Sequence, residues 1–231
     1  VWKCVGVELN VLASRLHVAR RRRTSGQRPP AAGSRRGDVV RPARGAAGMG
    51  SSTEDQPPEC KSIHEAVAKQ DKRAVAWFLQ RHPECVVLQD EDQRTPLLLA
   101  AAAGDNSTCT LLIRRMAAYD ERAINLPDAA GLTPLHWALT LQHADTAALL
   151  LRNGAGTSAA DEDGRRPLHT AAFSGNVQCV SQLLPHVPCE SVNATSADGL
   201  VPLHYAALSG SAAVVTLLLD ARASLHALDD E

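Results

Sequence analysis

The sequence predicts an all-α solenoid of about five helix-turn-helix repeats joined by hairpin-like loops. Three observations predict it. A short signature recurs as Pro134-Leu135-His136, Pro167-Leu168-His169 and Pro202-Leu203-His204, with a variant at Pro96-Leu97-Leu98 and a degenerate copy at Ile63-His64-Glu65-Ala66. Its apolar residue therefore falls at 63, 97, 135, 168 and 203, with intervals of 34, 38, 33 and 35 residues. Self-similarity at such a period marks an array in which each unit buries its apolar face against its neighbours. Finally, aromatic residues make up only 3% of the chain against 45% hydrophobic, so the core must be built from Ala, Leu and Val. Ala and Leu are strong helix formers, and Ala lets helix axes approach closely.

Each element of the repeat follows in order from local chemistry. Pro opens the first helix, where its missing N–H costs nothing and its φ is already helical. Thr95 and Thr133, just before it, are suited to cap that helix. After the His position come one variable residue and then Ala, at Ala66, Ala100, Ala138, Ala171 and Ala206. Four residues later stands Gly104, Gly175 or Gly210, suited to the left-handed C-cap, with Gln70 and Gln142 at this place in the first and third copies. The second helix carries the apolar blocks "VAWFL" (75–79), "TLLI" (110–113), "AALLL" (147–151), "VSQLL" (180–184) and "VVTLLL" (214–219). The polar stretches "DAAG" (128–131), "DEDG" (161–164) and "SADG" (196–199) form the loops between copies. The two longest intervals hold extra residues in "MAAYDERAIN" and "LLPHVPCESVN", which should bulge after the second helix and leave the stacking intact.

The phrases "TPLHWAL", "RPLHTAAFSGN" and "VPLHYAALSGS", within five copies in phase, resemble the ankyrin-repeat family over residues 60–231. The resemblance implies that His136, His169 and His204 are structural, bonding backbone groups of the loops and tying neighbouring repeats together. It implies that partners bind along the loop tips and the exposed face of the first helices. Carried onto this sequence, that surface offers Leu132, Leu141, Phe173, Leu200 and Leu208 as an apolar strip, with Glu162, Asp163 and Arg165 among the flanking loop-tip residues. Trp137 and Tyr205, at the variable place after His, read as core. Asn125 and Asn193 match the family's loop Asn, which stabilises the turn and in many members is a target of oxygen-dependent hydroxylation.

Catalysis is not indicated. A histidine that recurs in successive copies is explained by a structural role that every repeat needs. Three such residues about 10 Å apart, one helix diameter, cannot share one metal ion, whose ligands must lie within a few ångströms of it. There is no G-x-x-x-x-G-K-[ST], G-x-S-x-G or H-E-x-x-H motif. Acidic runs such as Asp161-Glu162-Asp163 read as a solvated loop face. No catalytic residue, cofactor or metal is expected.

Charge divides the chain. Residues 1–48 hold eleven Lys and Arg against Glu8 and Asp38, whereas the remainder is acidic, so a net charge of −1 conceals two kinds of polypeptide. Residues 1–59 read as a disordered basic and polar segment. Met49 is the first methionine, and the Arg/Gly/Ala/Pro-rich tract before it reads as translated leader sequence. If that tract is retained, Arg20-Arg21-Arg22-Arg23 suggests a nuclear signal, a phosphate-binding arm or a mitochondrial transit peptide. The ending "LLLDARASLHALDDE" lacks a polar capping repeat, so the array is expected to continue past Glu231.

The six cysteines form no C-x-x-C pair and read as mostly buried free thiols of a reducing compartment: the cytoplasm, with the nucleus as the alternative. No apolar run approaches the roughly 20 residues of a membrane helix. The expected function is a non-enzymatic scaffold that grips an apolar or amphipathic protein segment with basic flanks, without a small-molecule substrate, a membrane or nucleic acid. The alternative is the targeting module of a larger ubiquitin-ligase adaptor or kinase.

Overall fold

The computed structural model describes residues 59–224 of the 231-residue chain. The basic tract, Met49 and the expected continuation past Glu231 lie outside the described residues. Those described form five helix pairs: α1 (Ile63–Ala68) with α2 (Lys72–Arg81), α3 (Pro96–Ala103) with α4 (Asn106–Tyr119), α5 (Pro134–Thr140) with α6 (Ala144–Arg152), α7 (Pro167–Ser174) with α8 (Val177–Leu183), and α9 (Pro202–Ser209) with α10 (Ala212–Asp220). The predicted all-α ankyrin solenoid is thus the observed fold, and no strand occurs among the described residues.

The boundaries arise from capping chemistry. Ser62, Asp71, Thr95, Asp105 and Asn176 each accept backbone N–H groups of the helix they precede, satisfying donors that a helix start leaves without partners. Thr133 behaves differently from the expectation. Its hydroxyl does not cap α5 but lies 2.9 Å from His136 Nδ1. The turn between the helices of a pair needs a positive φ, which Gly104, Gly175 and Gly210 supply at +68°, +68° and +71°. Gln70 and Gln142 take the same conformation at 56° and 60°.

Within the array, α1, α3, α5, α7 and α9 pack in sequence on one another, and so do the second helices. The signature Ala sits where first helices meet: Ala66, Ala100, Ala138, Ala171 and Ala206 are all 0% exposed. Any larger side chain there would push two backbones apart. Leu97, Leu112, Leu135, Leu150, Leu168, Leu183 and Leu218 fill the interior of the pairs. Cys85, Cys109 and Cys179 join this core, and burial drives their thiols up to about 11, 12 and 11, away from thiolate reactivity.

The two long intervals are absorbed differently. "MAAY" does not bulge; it lengthens α4 to 14 residues, against 7 to 10 for the other second helices, before a 3₁₀ turn at Glu121–Asn125. "LLPHVPCESVN" forms two 3₁₀ turns, Leu184–His186 and Cys189–Asn193. Pro185 and Pro188 lack the N–H that continued α-helix would need.

Candidate protein-interaction face

The loops joining the pairs are tight hairpins, three of them organised by one carboxylate each. Asp90 Oδ1 accepts from the N–H of Asp92 and Arg94, Asp128 Oδ1 from Ala130 and Leu132, and Asp161 Oδ1 from Asp163 and Arg165, all at 2.8–3.0 Å. The fourth loop has Ser196 at that place, and keeps the Ser196 N–H to Leu200 carbonyl closure at 2.9 Å. Successive tips are tied by the Ala129, Glu162 and Ala197 N–H groups, which donate to the Asp92, Ala130 and Asp163 carbonyls at 3.1, 3.1 and 2.9 Å. This close approach fixes the glycines. A Cβ on Gly164 would lie 2.7 Å from the Ala197 nitrogen, and φ there is +71°. The Asp at the head of three of the loops recurs in the repeat pattern, but its role as organiser shows only in these bonds.

The signature histidine works from below. His169 Nδ1 accepts the Arg166 N–H at 3.0 Å, at the first turn of α7, and this leaves Nε2 as the protonated nitrogen. Nε2 donates to the Ala194 carbonyl of the next loop at 2.9 Å. The ring thus links one helix start to the following repeat. In the first copy, His64 Nε2 reaches the Leu88 and Arg94 carbonyls at 3.2 and 3.1 Å. His136 Nδ1 accepts the Thr133 N–H at 3.2 Å, and its buried Nε2 points toward the Arg165 backbone without a partner at normal hydrogen-bond length. His204 Nδ1 accepts the Val201 N–H at 3.3 Å. Burial lowers His136 to about 4 and lowers His169 as well, so both rings stay neutral near pH 7.

The candidate contact residues separate into two groups. Phe173 on α7 and Leu208 on α9 occupy the same repeat position, four residues after the signature His, and are 41% and 68% exposed. Leu132, Leu141 and Leu200 are half-buried, and Leu200 packs against the core. Tyr205 is core as expected, with its ring edge-on to His169 and Phe173 at 5.4 and 6.2 Å between centroids. Trp137 is only half-buried; its indole N–H donates to Asp128 Oδ2 at 2.9 Å, which holds the ring beside the loop. Trp137 and Leu141, four residues apart at the end of α5, lie on the same face.

Among the charged candidates, Glu162 and Asp163 are exposed at the tip. Arg165 is engaged within its own loop, with Nε on Asp161 at 2.9 Å and a terminal nitrogen on Asp163 at 2.8 Å. Arg94 repeats the arrangement with Asp90 and Asp92 at 2.8 and 3.2 Å. Burial alone would raise the Asp90 carboxyl, but the Arg94 side-chain and backbone hydrogen bonds outweigh it and hold it below its ordinary value. These arginines shape the loop and partly neutralise its acids. The loop asparagines act at the repeat exits. Asn125 Oδ1 accepts the Gly156 N–H, and Asn193 Oδ1 the Ser224 N–H, both at 2.7 Å, each joining one repeat exit to the next. Among the described residues, no group of His, Cys, Asp and Glu could hold a metal ion, and no helix is long and apolar enough to cross a membrane.

Known proteins share this repeat pattern. The human transient receptor potential cation channel subfamily A member 1 is 34% identical over 96 residues, 42% of this chain and 8% of the channel. Its Drosophila melanogaster counterpart is 30% identical over 130 residues, 56% of this chain and 11% of that protein. Dog inversin is 32% identical over 147 residues, 60% of this chain and 13% of inversin. The chain thus covers about a tenth of the length of these curated relatives. The family described as "Ankyrin repeats (3 copies)" matches residues 63–161 and again 149–229. With that match over most of its length, and the five capped helix pairs beneath it, the chain belongs to the ankyrin-repeat family.

Proposed function

We propose that the repeat domain is a non-enzymatic recognition module that holds a protein segment across the face made by its first helices and loop tips. The observation that carries this reading is the pair Phe173 and Leu208. Two large apolar side chains stand exposed at one repeat position on adjacent first helices, where the other copies place Ala68, Ala102 and Thr140. Completing their burial would contribute part of the roughly 1.5–3 kcal/mol that full burial of each side chain is worth, more at Leu208 than at the less exposed Phe173. Exposed Glu162, Asp163 and Asp198 at the neighbouring tips favour a segment with basic flanks, through steering more than through raw affinity. Tyr205 braces Phe173 from below, so the anchor is held in place before binding.

The test is capture from cell extract by the tagged full chain and by a Phe173→Glu/Leu208→Glu variant. Both side chains are exposed, so the variant keeps its helical circular dichroism. Loss of specific partners in the variant is the expected result. Recovery of the same partners at the same level would remove this face from the reading.

A second reading has its own support. The relatives carry matching repeats within chains roughly ten times as long as the matched stretch. In that reading the repeats address a larger protein, such as a ubiquitin-ligase adaptor or kinase, to its target. Transcript sequence beyond the Glu231 codon distinguishes the two.

A further inference from the structure

A second surface lies on the second helices, apart from the face formed by the first. Between α2 and α4 runs an open groove of about 350 Å³. Ala76 and Leu79 from α2, with Leu111 and Ala118 from α4, form its apolar floor. Arg114 and Arg115 stand on its rim, both exposed. No carboxylate lines the groove, and among the described residues none lies within ion-pair distance of either arginine. By contrast, the loop arginines Arg94 and Arg165 are each held by two aspartates. The extra length of α4 serves this groove. Its last turn brings in Ala118, and beside it Tyr119 is 55% exposed. The insertion that breaks the repeat period thus extends an apolar floor next to two exposed cationic side chains.

We propose that this groove binds an acidic amphipathic protein helix, its apolar side chains on the Ala76–Leu111–Ala118 floor and its carboxylates on Arg114 and Arg115. Charge complementarity selects the occupant. Guanidinium groups pair with carboxylates through two parallel hydrogen bonds, and this geometry discriminates against a basic helix. Leu111, Arg115 and Ala118 follow helical spacing along α4, which matches anchors three and four residues apart on a bound helix.

The probe is a synthetic helical peptide with Leu at every third and fourth position and Glu on the flanks, and a twin with Lys for each Glu. Each is titrated into the isotope-labelled full chain and followed by amide chemical shifts and fluorescence anisotropy. The expected result is binding of the Glu peptide alone, with shifts clustered at Ala76, Leu111, Arg114, Arg115 and Ala118. In an Arg114→Glu/Arg115→Glu variant the dissociation constant should rise about tenfold or more, and in Arg114→Gln/Arg115→Gln by a smaller factor. Phe173→Glu/Leu208→Glu should leave it unchanged, which separates this proposal from the preceding one. Equal binding of the two peptides, shifts centred on the first helices, or unchanged affinity in both arginine variants would overturn it. So would phosphatidylserine vesicles that shift the same resonances while the Glu peptide does not, because the surface would then be one for membranes.

Discussion

Acidification should loosen the array through His136, by an amount that the structure sets. The ring is 0% exposed, and burial lowers its pKa from 6.5 to about 4. Geometry gives the same direction: Nδ1 accepts the Thr133 N–H at 3.2 Å, so a proton there would break the first turn of α5. In the unfolded chain the histidine titrates at its ordinary value. Above that value both states are neutral, and the full stability is present. As pH falls between the two values the unfolded state binds a proton that the folded state refuses, so stability declines. The difference amounts to about 1 kcal/mol at pH 6, about 2 kcal/mol at pH 5 and about 3 kcal/mol near pH 4. The measurement is urea unfolding followed by circular dichroism at several values between pH 7.5 and pH 5, on the wild type and on His136→Leu. Leucine suits the site because Leu98 occupies the same repeat position, 1% exposed, in the second copy. The carboxylates of Asp90 and Asp105 are held below 3.8 and stay charged throughout this range. His169 titrates equally in both proteins. The wild type should lose about 2 kcal/mol more than the variant between the two ends of the series. If His136→Leu declines with pH as steeply as the wild type, the buried neutral ring is not the source and the reasoning fails.

Three further outcomes are expected. Gly164→Ala should destabilise by more than about 2 kcal/mol, combining left-handed strain with a 2.7 Å approach to Ala197, while Gly154→Ala, with φ +87° and open space around it, should lose only about 1 kcal/mol; equal losses in thermal unfolding would deny the contact between loops. Asp128→Ala removes the acceptor of the Ala130 and Leu132 N–H groups and of the Trp137 indole, and should cost about 2–4 kcal/mol with a change in tryptophan emission; an unchanged spectrum would contradict the indole bond. Asn125→Ala should cost about 1 kcal/mol and speed hydrogen exchange at the Gly156 amide, whose acceptor it removes; unchanged exchange there would argue against the tie between repeat exits.

Much of this molecule was legible in one dimension, because a repeat solenoid is nearly one-dimensional. Each copy contacts its immediate neighbours, so the spacing of Leu135, Leu168 and Ala171 already implied which faces pack. The signature histidines were legible for the same reason, since recurrence at one register position separates scaffold from chemistry. The residues whose surroundings stayed hidden are those with partners in a loop rather than in the repeat. Trp137 reads as core in the sequence, and Asp128 instead holds its indole at the loop. Asp163 and Arg165 read as loop-tip contacts for a partner, and the fold also brings them to 2.8 Å of one another. The extra residues that follow the apolar block of α4 read as a bulging loop in the sequence, and their packing instead extends α4 to Tyr119. Sequence by itself determined the period, the helix starts and the buried small residues, because these depend on local backbone geometry and nearest-neighbour packing. Tertiary structure decided which charges are spent inside the loops, which apolar side chains stay exposed, and where two arginines stand beside an apolar floor with no ion pair among the described residues. Those are sums over neighbours distant in the chain, and no local pattern encodes them.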